Sequence, residues 1–138
     1  MFFTECVRLV ERHPDLAGAV QQIDVQLAKM HTDGVIRAAD LASFLGIDPN
    51  QVDAVLARLA HEKLLRAEEM VECARCRMAT LRSEYQAQLE EEGEYRCTSC
   101  DRPLADTSIR VITIYRRGEK WKEAPQQALP QVKLKFFL

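Results

Sequence analysis

The sequence predicts an α+β chain, and three observations carry that prediction. Apolar residues recur at helical spacing through the N-terminal half. Two Cys-x-x-C pairs follow, with twenty residues between them. The rest is rich in the runs that form strands. The chain has 138 residues, room for one ordinary domain or two very small ones. Apolar residues make up 47% and charged residues 29%, a globular balance that excludes disorder over the whole length.

The first helix is expected over residues 2–12, where Phe2, Phe3, Cys6, Val7 and Val10 share a face. His13-Pro14 ends it, because proline disfavours the helical conformation in the residue before it. Asp15 is placed to cap a second helix, in which Leu16, Val20, Ile23, Leu27 and Met30 recur at steps of four and three until Thr32-Asp33-Gly34. Val35-Ile36 reads as a very short extended piece. A short helix over 38–45 turns Leu41, Ala42 and Leu45 inward and stops at Gly46. Asp48-Pro49 is a helix start, an acidic cap followed by proline at the first helical position. Val52, Val55, Leu56 and Leu59 form the inner face of that helix; Leu64-Leu65 follows, and Met70-Val71 reads as a strand.

This order of helix, short strand, helix, tight turn, helix and strand fits a winged helix-turn-helix over residues 1–70, with an extra N-terminal helix. Val35 to Asp48, with its continuation from Val52 to Leu65, resembles the helix-turn-helix core of many winged-helix proteins. The alternative is an unrelated helical bundle with the same apolar spacing.

Residues 71–106 hold the cysteine pairs. Leu81, Tyr85 and Leu89 lie four apart and suggest a short helix running to Glu92 and ended by Gly93. Residues 107–138 are expected as a basic β-strand tail. A strand runs from Ile109 to Arg116, Arg117-Gly118 makes a turn, and 124–130 forms a linker. The alternating Val132, Leu134, Phe136 and Leu138 form a last half-buried strand.

Cys73, Cys76, Cys97 and Cys100 are the candidate metal ligands. A two-residue gap lets both thiolates of a pair face one ion, and the longer gap lets the chain return to complete a tetrahedron. Soft four-thiolate coordination selects zinc over magnesium or calcium, with iron as the other candidate. Two disulfides would need an oxidising compartment, and a thioredoxin-like pair would need a βαβ unit that is missing. With four cysteines filling the shell, no position is open to water or substrate. No Ser/His/Asp set, phosphate-cradling glycine loop or carboxylate pair has catalytic spacing either, so an enzyme is not expected.

The cysteine pairs, following a winged-helix pattern, resemble the zinc ribbon in the alpha subunit of the general transcription factor E of archaea and eukaryotes. The four cysteines match its ligand positions. Tyr85 and Ala87 fall in the intervening stretch, Tyr95 sits two residues before the third cysteine, and Pro103-Leu104 follows the fourth. The resemblance implies a structural zinc and a role in transcription. Ribbon knuckles often carry proline after the first cysteine and glycine after the second. Ala74, Arg77, Thr98 and Asp101 stand there instead, and Arg77 suits a positive φ poorly.

Charge is divided unevenly: residues 1–70 sum to −4, 71–106 to −3 and 107–138 to +5. Phosphate binding is therefore expected from Arg116, Arg117, Lys120 and Lys122 in the tail. Asn50, Gln51 and Arg58 on the helix from Pro49 are the candidate contacts to bases or phosphate. His13, His31 and His61 are scattered and expected to be exposed or structural, and Cys6 to be a free core cysteine. The leading expectation is a DNA-binding or transcription-related regulatory protein. The rival is a protein adaptor that docks through an acidic winged helix. An N-terminus without a basic start and a long apolar stretch, and no membrane-length apolar run, suggest a soluble cytoplasmic protein, nuclear in a eukaryote. Phe2, Phe3, Val7 and Val10 have no assigned partner within a winged-helix core, which suggests a homodimer.

Overall fold

The computed structural model describes residues 1–105 and 108–121. Lys122, the 124–130 linker and the expected strand over 132–138 lie outside the described residues. The fold is α+β. It contains α1 (Thr4–Arg12), α2 (Ala17–Ala28), β1 (Ile36–Arg37), α3 (Ala38–Leu45), α4 (Pro49–His61), β2 (Leu65–Cys73), β3 (Ala79–Leu81), α5 (Arg82–Glu92) and β4 (Ile109–Arg117). The strands form one sheet in the order β1-β4-β2-β3, with Met70 opposite Leu81 in the antiparallel β2–β3 ladder. No described helix is long and apolar enough to cross a membrane.

The chain divides into two compact units. The first is Met1–Ala67 together with the described chain from Tyr115; the second is Glu68–Ile114. In chain order, the second unit is therefore inserted between the two parts of the first. This differs from the three consecutive segments, 1–70, 71–106 and 107–138, read from the sequence. Residue pattern marks each strand but not its neighbour, so it is blind to a chain that leaves a sheet and returns to it.

In the first unit, Val20, Ile23 and Leu27 of α2 are fully buried with Val52, Val55, Leu56 and Leu59 of α4. Cys6, Val7 and Leu9 of α1 join the same core, and Phe3 packs on Trp121 with ring centroids 4.8 Å apart. The apolar residues of α1 are thus covered within their own unit. Phe3 and Val7 are buried, and Phe2 and Val10 pack against the core. The residues left without an assigned partner in the sequence thus have partners within their own unit. Asp15 does not cap α2: Pro14–Leu16 forms a 3₁₀ turn first, and no side chain caps the helix that follows.

The α3–α4 corner follows from its residues. Gly46 adopts φ 68° and closes α3, its N–H donating to the Ala42 carbonyl. The Asp48 carboxylate accepts from the Asn50 N–H at 2.9 Å, and Pro49 opens α4. After β4, the Gly118 N–H donates to the Leu64 carbonyl at 2.8 Å. A Cβ on Gly118 would meet the Lys63 carbonyl oxygen at 2.4 Å and Leu65 backbone atoms at 2.8 Å. Backbone cannot swing aside as a side chain can. Gly118→Ala is therefore expected to cost about 1–3 kcal/mol, measured as a fall in urea midpoint with unchanged slope.

Candidate metal centre

Among the described residues of the second unit, Val71, Cys73, Tyr85, Tyr95, Cys97 and Leu104 form one buried core. Tyr85 and Tyr95 meet edge to face at 5.3 Å. The Tyr85 hydroxyl donates to the Leu104 carbonyl at 3.3 Å, and the hydroxyls of Thr80 and Tyr95 lie 3.0 Å apart. So small a core is poorly able to hold a unit of this length unaided.

Two loops of the same construction present the cysteines. In the first, the Arg77 N–H donates to the Cys73 carbonyl at 2.8 Å, and the Cys73 N–H to the Met78 carbonyl at 3.0 Å. In the second, the Asp101 N–H donates to the Cys97 carbonyl at 2.9 Å, and the Cys97 N–H to the Arg102 carbonyl at 2.9 Å. The residue after each second cysteine is left-handed: Arg77 has φ 64° and Asp101 φ 59°. Neither is glycine, and the conformation costs a residue with a Cβ about 1–2 kcal/mol, less for aspartate.

The loops bring all four sulfurs within 4.8 Å of one another. Cys73 Sγ lies 3.8 Å from Cys100 Sγ, and Cys76 Sγ 3.3 Å from Cys97 Sγ. These separations exclude disulfides, and all five cysteines are free. For metal–sulfur bonds of about 2.3 Å a tetrahedron's edge is about 3.8 Å; the first separation equals it, the second is shorter, and all four sulfurs are close enough to close on one ion. The four residues therefore form a candidate metal site, the ligand set expected from the sequence.

The electrostatics of the loops suit a cation. N–H groups of Cys76 and Arg75 hold the Cys73 thiol down at about 7. The Cys97 thiol is lowered too, chiefly by the Cys100 N–H. Cys100 moves the other way, to about 11. The Arg102 N–H favours its thiolate, but burial and the three neighbouring thiols outweigh it. Four sulfurs this close cannot all lose their protons unless a positive charge sits among them.

The candidate nucleic-acid residues are dispersed. Asn50, Gln51 and Arg58 are exposed on α4. Arg58 lines a groove of about 250 Å³ beside α1, together with Arg12, His13, His61, Glu5 and Glu62. His13 and His61, far apart in sequence, are brought to one place there. Lys120 is exposed, and Arg116 is half-buried with an interaction of its own. Arg117 departs from the expected phosphate anchor: its guanidinium donates to the Met30 carbonyl and lies over the Trp121 ring at 4.8 Å. A cation stacked on an aromatic face and bonded to a carbonyl is a packing element of the core. Asp53 of α4 is likewise engaged, accepting from the Tyr115 hydroxyl at 3.5 Å.

Fold and site together define an α+β protein with a four-cysteine candidate metal centre. Comparison with protein-family models, with curated proteins and with solved structures found no match.

Proposed function

We propose that the protein is a zinc-bearing winged-helix module that binds DNA in transcription regulation and performs no catalysis. The observation that carries this reading is the α3–α4 pair. It turns at Gly46-Asp48 and presents Asn50, Gln51 and Arg58 outward on α4, as a recognition helix does. The sheet order supports it, since β1-β4-β2 is the strand order of a winged helix. The residues joining β2 to β4, where such a fold has its wing, are those of the four-cysteine unit. The clustering of four thiols within 4.8 Å of one another supports a structural zinc held by Cys73, Cys76, Cys97 and Cys100. That ion would fix the two loops and supply folding energy.

Binding of duplex DNA across a salt series tests the reading. Affinity is expected to fall steeply between about 50 and 200 mM salt, since phosphate contacts release counterions. Absence of binding at the lowest salt overturns it.

A specific observation favours a second reading, a protein adaptor. Phe44 on α3 is 74% exposed, on a half of the chain that sums to −4. An exposed aromatic among acidic residues suits a protein partner better than a phosphate backbone. Loss of a native partner in a pull-down with Phe44→Ala, with DNA binding absent in the wild type, would establish it.

A further inference from the structure

We infer that Arg75, Arg77 and Arg102, gathered around the four thiols, form the patch that grips the phosphate backbone of duplex DNA. The inference rests on the nucleic-acid reading above and moves the phosphate anchor away from the C-terminal tail. Arg75 lies inside the first cysteine loop, Arg77 directly after it, and Arg102 two residues after Cys100. Sulfur separations of 3.3 and 3.8 Å between the loops bring their arginines to one end of the unit. All three residues are exposed, and their side chains make no hydrogen bond or ion pair among the described residues.

Arg110 of β4 and Arg58 of α4 are also exposed, but neither belongs to a cysteine loop. Other arginines are already held. Arg82 is paired with Glu69, Arg96 donates to the Asp101 carbonyl, and Arg117 is held by Met30 and Trp121. Most acidic residues of the unit lie outside the two loops: Glu68, Glu69 and the buried Glu72 on β2, Glu84, Glu90, Glu91 and Glu92 on α5, and Glu94, which pairs with Arg96. Only Asp101 among the described loop residues 73–78 and 97–102 is acidic.

Arg77 adds a second line of argument. Its φ of 64° is the left-handed conformation that glycine adopts freely. An arginine that accepts that cost needs a use for its side chain, and local rules are broken most often at functional positions. A metal-loaded tetrathiolate is itself negative, and the arginines offset it. Their exposure still leaves planar forks of donors open to solvent, the geometry that matches phosphate oxygens.

The test uses the full-length, metal-loaded protein and a fluorescent duplex oligonucleotide of random sequence, titrated from about 50 to 200 mM salt. Each lost phosphate contact flattens the log–log salt slope by about 0.9. Arg75→Gln with Arg77→Gly and Arg102→Gln is expected to flatten it by about 2–3 and to weaken binding at least ~tenfold at low salt. Glycine at 77 keeps the loop unstrained, and elemental analysis checks that metal is retained. Should the triple variant lose metal, Arg75→Gln with Arg102→Gln decides the matter, with an expected flattening of about 2. Metal-loaded variants that bind with wild-type affinity and slope overturn the patch and leave the reading of α4 standing. A wild-type protein that binds no duplex at the lowest salt overturns both, leaving the arginines to an acidic protein partner.

Discussion

Cys97→Ser is expected to leave the purified protein without metal and residues 68–114 without a stable fold. Among its described residues the unit's core is six buried residues, two of them the candidate ligands Cys73 and Cys97. Structural zinc in peptide-sized sites contributes roughly 10–16 kcal/mol at neutral pH, more than such a core can replace. Wild-type protein should carry one zinc per chain by elemental analysis, and the variant close to none. Trp121, the sole tryptophan, packs on Phe3 in the other unit, so its emission should survive metal loss. Amide protection around Tyr85 and Tyr95 should vanish. Acid should imitate the mutation by protonating the thiolates. Wild-type protein containing neither zinc nor iron when freshly purified would remove the metal from the account.

Where local chemistry dictates conformation, the sequence was legible. Gly46, the Asp48-Pro49 start and the inward Val52, Val55, Leu56 and Leu59 placed α3 and α4. The Cys-x-x-C spacing placed the four sulfurs together before any coordinates. The suspicion attached to Arg77 was also physical: a knuckle that needs a positive φ imposes it on whatever residue stands there.

Features set by distant contacts were not legible. β2 runs over nine residues, although Met70-Val71 alone looked extended. Its segment 66–69 is charged or small and shows no apolar alternation. β3 is three residues long, and its partner Met70–Glu72 is what makes it a strand. Arg117 looked like a free cation because nothing in sequence ties it to Met30, 87 positions away. The groove uniting His13 and His61 depends on α1 lying beside α4 in the same way. In each case a tertiary contact gives the residue its role, and that contact leaves no periodic trace.

Asp24 is another residue whose role comes from a distant contact, with Phe2 and Phe3. It sits on α2 among apolar neighbours and is fully buried. Its carboxylate accepts from the Phe2 N–H at 2.7 Å and the Phe3 N–H at 3.0 Å, pinning the segment that leads into α1. Asp24→Ala would strip both donors of their acceptor and open a void, at an expected cost of about 2–5 kcal/mol. Asp24→Asn keeps the shape and one accepting oxygen and should cost less.

The pH dependence separates charge from shape. Burial raises the Asp24 pKa above its ordinary 3.8, and the Phe2 and Phe3 N–H groups only partly oppose that rise. A carboxyl whose folded pKa is raised binds its proton more tightly in the folded than in the unfolded state. Its contribution to stability is therefore full below 3.8 and declines as pH rises through the raised folded value. Relative to wild type, Asp24→Asn should accordingly look worst at the acid end and improve with rising pH until Asp24 is fully ionised. Urea midpoints measured for both proteins from acid to neutral pH check this. A difference between them that stays constant with pH would show that Asp24 holds the same proton in the folded and unfolded states.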